Sequence, residues 1–129
     1  GICVGLQMFA ESSQEGSSTG LGWIKGEVKK IPATVKNKKI KLPHMGWNSI
    51  HILSQNNIIN DIKNNSIFYF LHSYYFDCLD SKIILAKTKY TIDFPCIISH
   101  QNIFGFQGHP EKSHSNGVTI LRNFDKLTC

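Results

Sequence analysis

Cys3, His109 and Glu111 are the residues of this chain whose side chains could act together on a substrate. A thiolate is a strong nucleophile, an imidazole can carry the proton the thiol gives up, and a carboxylate can hold that imidazole in one tautomer. Cys3 lies in Gly1-Ile2-Cys3-Val4-Gly5-Leu6-Gln7, a G-x-C-x-G pattern that reads as a nucleophile elbow, a reactive side chain on a sharp turn between a strand and a helix. The flanking glycines would let the backbone pass where a Cβ would clash. A cysteine at a helix N-terminus should also gain thiolate character from the helix dipole. His109 and Glu111 flank Pro110, and in extended backbone residues i and i+2 point to one side, within reach of each other. Each half has a plainer reading, a buried cysteine in a Gly-rich turn and an incidental pair on a surface loop, and the residues alone leave both open. A metal centre from His100, His109, Glu111 and His114 matches no ligand spacing.

The elements that must position these groups follow from periodicity. Leu6, Met8, Phe9 and Ala10 suit a short helix after the elbow, and Ser12 to Gly20 is a polar Gly/Ser-rich loop. Residues 27–31 and 38–42 read as half-exposed strands that form an antiparallel hairpin around Pro32 to Asn37 at the domain's edge. Pro43 to Asn48 has neither helical nor strand period, so Met45 and Trp47 either tuck into the core or stand out as anchors for a partner. Residues 49–53 suit a strand, and Ile58, Ile59 and Ile62 have weak helical spacing. The unbroken apolar run Ile67 to Leu71 predicts a strand covered on both faces, ending in the polar His72-Ser73-Tyr74-Tyr75. Residues 82–90 and 91–99 read as two more strands, with Pro95 forcing the second toward an edge or a bulge. A short apolar strand at Ile103 to Gln107 leads to the His-Pro-Glu pair. A helix over 116–124 follows, with Val118, Leu121 and Phe124 spaced for one face. The predicted fold is one α/β domain with buried central strands and an appended antiparallel hairpin.

Composition narrows the function classes. The chain has 129 residues, 41% hydrophobic and 18% charged, which suits one ordinary globular domain. The formal charge of +5 comes largely from Lys25, Lys29, Lys30, Lys36, Lys38, Lys39 and Lys41. With Arg122 the only arginine and no aromatics interleaved, that cluster reads as a solvated hairpin face, and nucleic acid is not the expected partner. Cys3, Cys78, Cys96 and Cys129 form no C-x-x-C pair. No apolar run approaches the roughly 18 residues of a membrane span and no signal peptide is visible, so cytoplasmic localisation with reduced thiols is expected. The first residue is Gly, so the start is either processed or cut from something longer.

Four motifs in order, GICVGLQ at 1–7, LPHMGWN at 42–48, HSYYF at 72–76 and GHPEKS at 108–113, with LRNF at 121–124, resemble the class I (triad-type) glutamine amidotransferases. Within that family the chain is most similar to the glutaminase subunits of imidazole glycerol phosphate synthase. The resemblance implies a flavodoxin-like three-layer α/β sandwich, no cofactor, and hydrolysis of glutamine to glutamate and ammonia. It implies Cys3 as nucleophile, His109 as general base and acid, Glu111 as the residue orienting it, and the Val4 N–H as an oxyanion donor. It makes Gln7, His72, Ser73 and Tyr74 substrate-holding positions. The partner it implies is a (β/α)8-barrel synthase subunit, met as a heterodimer through Met45, Trp47, Asn48 and Lys112, which would take up the ammonia for histidine biosynthesis. Two positions depart from the pattern: Gly108 stands where an aromatic is usual, which should loosen packing behind His109, and Thr91 stands where a glycine is expected. Residues 1–129 correspond to the C-terminal portion of the domain, so the expectation is a longer gene product whose N-terminal strands precede Gly1. Two other functions fit: a paralogous glutaminase serving a sugar amidotransferase in surface-polysaccharide synthesis, and a non-catalytic interaction subunit.

Overall fold

The computed structural model describes residues 1–127. The helix α1 (Val4–Gln7) is followed by strands β1 (Ser12–Ser13) and β2 (Gly26–Lys30), the small strands β3 (Thr34–Val35) and β4 (Lys38–Lys39), and the long strand β5 (His44–Ile52). Then come β6 (Ile67–His72), β7 (Tyr74–Cys78), β8 (Ile84–Lys89), β9 (Asp93–His100), β10 (Ile103–Phe106) and the helix α2 (His114–Leu127). One five-stranded sheet has the order β10-β9-β8-β5-β6 and a three-stranded one the order β1-β2-β7, with β3 and β4 apart as a hairpin. All pairings in the larger sheet are antiparallel, whereas β1 lies parallel to β2.

Several sequence expectations need correction. Strand β2 pairs with β7, not with residues 38–42. The hairpin is the shorter β3–β4 pair, turned by Lys36 and Asn37, both at positive φ (47° and 62°), as a two-residue hairpin turn requires. Pro43 to Asn48 is largely strand: β5 pairs with β6 from His44 to Ser49 and with β8 from Ile50 to Ile52. Gly46, at φ 122°, hides the strand pattern locally, but cross-strand pairing decides the conformation.

The strand buried on both faces is β9, where Phe94 to Ile98 are all buried. On β6, Phe68, Phe70 and His72 are buried while Ile67 is exposed, so its apolar run combines a core face with a second, half-covered aromatic face. Pro95 lies inside the sheet opposite Lys87, and a register shift in β8 beside it accommodates the ring. Two apolar clusters occupy the two faces of the β8–β9 hairpin: Phe68, Phe70, Leu85, Ile97 and Ile120 on one side, Leu6, Val28, Phe76, Ile84 and Ile98 on the other. Helix α2 turns Gly117, Ile120 and Asn123 inward. Asn123 Nδ2 donates to the Ile58 and Asn60 carbonyls at 3.1 and 2.7 Å, and a Cβ on Gly117 would fall 1.8 Å from the Pro110 oxygen. Val118, Leu121 and Phe124 share one side of the helix and stay 43 to 45% exposed, with Phe124 edge-on to Phe104. The polar Asn123 satisfies two loop carbonyls there, which hydropathy alone does not reveal. Thr91 buries its hydroxyl without a partner.

Phe70 has no exposed surface and packs on Phe106 and His44. Phe70→Ala is expected to cost about 3–5 kcal/mol of unfolding free energy, the usual range for emptying such a site, read as a lowered urea midpoint.

Candidate functional site

The elbow is built by pairing the first residues with β10. Phe106 N–H donates to the Gly1 carbonyl at 2.9 Å, Cys3 N–H donates to the Phe106 carbonyl at 2.8 Å, and Ile2 bridges Phe106 in parallel. Strand-like backbone therefore leads into Cys3, whose φ of 51° and ψ of −110° make the sharp turn before α1. Such a conformation costs energy on a non-glycine residue and persists because its neighbours over-determine it. A Cβ on Gly1 would lie 2.5 Å from the Gly5 carbonyl group, so Gly1 must be glycine, whereas a Cβ on Gly5 would meet open space.

The Cys3 thiol is half-buried. Its Sγ lies 3.7 Å from the Leu71 carbonyl and 3.7 Å from Gln107 Nε2. Burial pushes the thiol pKa up, and the Glu111 charge adds to the rise, while the Val4 N–H and the Gln107 amide pull it back. The expected dipole-driven lowering does not prevail, because α1 has only four residues and the thiol loses solvent.

His109 and Glu111 meet, with Nδ1 and Oε1 2.7 Å apart. The contact is made by a 3-10 turn over Pro110–Lys112 and not by extended backbone. Glu111 accepts from Nδ1–H, which leaves Nε2 as the basic nitrogen; it is buried and has no hydrogen-bond partner. Strand β6 holds both halves of the site: the Tyr69 carbonyl accepts from His109 N–H at 2.8 Å, and the Leu71 carbonyl faces the thiol. Carbonyls i and i+2 of a strand lie about 7 Å apart, so the His109 backbone and the Cys3 thiol meet β6 at neighbouring points along one edge. Gly108 does not leave a gap behind His109. A Cβ there would sit 2.9 Å from Phe106 Cζ, so the Phe106 ring occupies the adjoining space.

A cavity of about 350 Å³ opens over the thiol, lined by Cys3, Val4, Gln7, Leu71, His72, Ser73 and Tyr74 together with Glu15 and Pro43. It gathers every residue the sequence marked for substrate, and adds Pro43 from the 42–48 motif together with Glu15 and Leu71, which carry no motif. His72 uses both of its ring nitrogens within the protein. Its Nδ1 lies 2.7 Å from the Tyr74 carbonyl and so carries the proton, leaving Nε2 to accept from His44 Nδ1 at 3.0 Å. His44 Nε2 in turn accepts from Asn48 Nδ2 at 3.1 Å. Burial lowers both histidine pKa values to about 4, so the pair is neutral. Gln7 also spends its amide within the protein, donating to the Tyr74 carbonyl at 2.8 Å and to Gln107 Oε1 at 3.1 Å.

Of the four residues marked for a partner, Met45 and Trp47 are 58% and 49% exposed on the outward face of β5. Trp47 stacks on His114 and meets Tyr69 edge-on, and Lys112 lies over the Tyr69 ring. Asn48 departs from the expectation. Its side chain turns inward to His44 and the Lys89 carbonyl, because residues 44, 46 and 48 share the inner face. Among the described residues Cys3, Cys78 and Cys96 are free thiols, and Cys129 lies outside them. No helix there is long and apolar enough to cross a membrane.

The family described as glutamine amidotransferase class-I matches residues 1–127, and the chain belongs to that family. Its curated relatives include the proteins named imidazole glycerol phosphate synthase subunit HisH of Leptospira borgpetersenii, 46% identical over 98% of this chain, and of Pelagibacter ubique, 50% identical over 98%. The same-named protein of Bdellovibrio bacteriovorus is 41% identical over 98% of the chain. The chain spans 61 to 62% of the length of these relatives. Among solved structures, a putative GMP synthase protein from Thermoplasma acidophilum superposes with a TM-score of 0.61 at 20% identity, covering 79% of this chain and 48% of that one. That likeness supports the same α/β amidotransferase fold.

The buried histidine pair makes stability depend on pH with a definite sign. Above 6.5 both rings are neutral folded or unfolded; between 6.5 and about 4 only the unfolded chain takes up protons. Stability is therefore expected to be full above 6.5 and to fall as pH drops toward 4. Urea midpoints across this range should show the slope, and His72→Asn, which keeps the donor to Tyr74, should reduce it.

Proposed function

We propose that this chain carries the glutaminase chemistry of an imidazole glycerol phosphate synthase: it is the C-terminal portion of a glutamine amidotransferase domain that hydrolyses glutamine to glutamate and ammonia. What carries the proposal is the thiol of Cys3 on a strained elbow above a 350 Å³ cavity, in a chain 41 to 50% identical to HisH-named proteins over 98% of its length. Cys3 gives its proton to His109, and the thiolate attacks the side-chain amide carbon of glutamine. The oxygen that gains charge is met by the Val4 N–H. Collapse of the tetrahedral species expels ammonia, with the proton supplied by His109, and leaves a glutamyl thioester. His109 then takes a proton from water, whose attack on the thioester yields glutamate and restores the thiol. Glu111, held to Nδ1, keeps Nε2 free for both transfers. Backbone groups of Ser73 and Tyr74, with Gln7 and His72 behind them, hold the amino-acid end of the substrate. The chemistry needs no cofactor.

Ammonia passes to a (β/α)8-barrel synthase subunit bound as a heterodimer in the cytoplasm, docked on Met45, Trp47 and Lys112. The relatives' names favour this partner over the sugar amidotransferase, and the intact cysteine, histidine and carboxylate speak against a purely structural role.

Glutamate release measured with the synthase subunit present should vanish in Cys3→Ala and fall on the order of 100- to 10,000-fold in His109→Asn. A Cys3→Ala protein that still released glutamate, or still reacted with a glutamine-analogue electrophile, would overturn the proposal. Trp47→Ala should weaken binding of the synthase subunit by about 30-fold or more, as for an interface anchor, read by calorimetric titration.

A further inference from the structure

Gln107 carries no motif of its own, yet it is wholly buried and touches the reacting atom. Its backbone N–H donates to the Cys96 carbonyl at 2.8 Å, which fixes the residue at the end of β10. The orientation of its amide is forced by its neighbours. The Tyr74 carbonyl can only accept, so Gln7 must present Nε2 to it. The other proton on that nitrogen then points at Gln107, which must answer with Oε1, at 3.1 Å. That leaves Gln107 Nε2, a donor only, facing Cys3 Sγ at 3.7 Å. A donor held against sulfur favours the thiolate over the thiol, and its Oε1 is unavailable to accept a proton from the thiol.

We propose that Gln107 is a thiolate-stabilising residue of this site, and that Gln7, anchored by the Tyr74 carbonyl, acts as a positioning residue that aims it. The Tyr74 carbonyl is itself held from its other side by His72, so the amide's aim is set by a buried chain running through His44 to Asn48 on β5. The acidic groups acting on the thiol are Glu111, from the turn after His109, and Glu15, from the loop after α1; both charges oppose the thiolate, which makes a neutral donor beside it valuable. His72 lines the same cavity but stays neutral. The proposal rests on the nucleophilic role of Cys3.

Alkylation of Cys3 by iodoacetamide, followed against pH by mass spectrometry, reads the thiol without requiring turnover. In Gln107→Met, which keeps the volume and loses the donor, the alkylation midpoint should rise by about one pH unit, with roughly three- to tenfold slower reaction below it. Gln7→Met should move the midpoint the same way by less. A midpoint unchanged in Gln107→Met with native circular dichroism overturns the proposal. Should the buried substitutions fail to fold, the unsubstituted protein decides: the Gln107 side-chain amide resonance should follow Cys3 ionisation and lose that dependence in Cys3→Ser. A resonance indifferent to the thiol overturns the proposal equally. Failure of the glutaminase reading is separate, appearing as an unaltered glutamine-analogue reaction in Cys3→Ala.

Discussion

The pairing of Gly1 to Cys3 with Phe106 is the constraint on which the site depends. Two backbone hydrogen bonds, at 2.8 and 2.9 Å, bind the first residues of the chain to a strand more than one hundred positions later. They lead the chain into the positive-φ turn at Cys3, and Gln107, the residue that follows that strand, lies beside the thiol. Without this pairing, the thiol and Gln107 would belong to unrelated segments. The cost of the strained Cys3 conformation is met by the strand contacts and by Leu6, the fully buried residue of α1.

Strand β6 is the second organiser. Its inward face supplies Phe68 and Phe70 to the core, and its carbonyl edge receives His109 and faces Cys3. At its end the chain passes through Ser73 into β7, in another sheet, and that crossing forms the cavity wall. Two neutral histidines and two glutamines brace the wall through one carbonyl, that of Tyr74. A buried network with every member satisfied favours one geometry of the wall over its alternatives.

Much of the chemistry was legible because it is written in residue types at short spacing. The elbow shows in seven residues, and the His-Pro-Glu pair in three. The strands β8 and β9 and the strand before Gln107 also showed, since apolar runs and turn residues mark them. The errors share one cause. Gly46 and Pro43 disguised β5 as a loop, and Asn123 turns a polar side chain inward to two loop carbonyls, because long-range partners satisfied what local propensity disfavoured. The direction of the His72 and Asn48 side chains depends on His44, and only the pairing of β5 with β6 brings His44 and His72 together.

The sequence by itself determined the inventory: a cysteine on a sharp turn, an imidazole with its carboxylate, and a polar strand end, all of them local patterns. The tertiary structure alone decided the thiol's surroundings. Burial raises its pKa against the expected dipole, and Gln107 arrives beside it from the far end of the chain. Reactivity depends on the dielectric and the donors within a few ångströms of one sulfur atom, and those come from residues that only folding brings together.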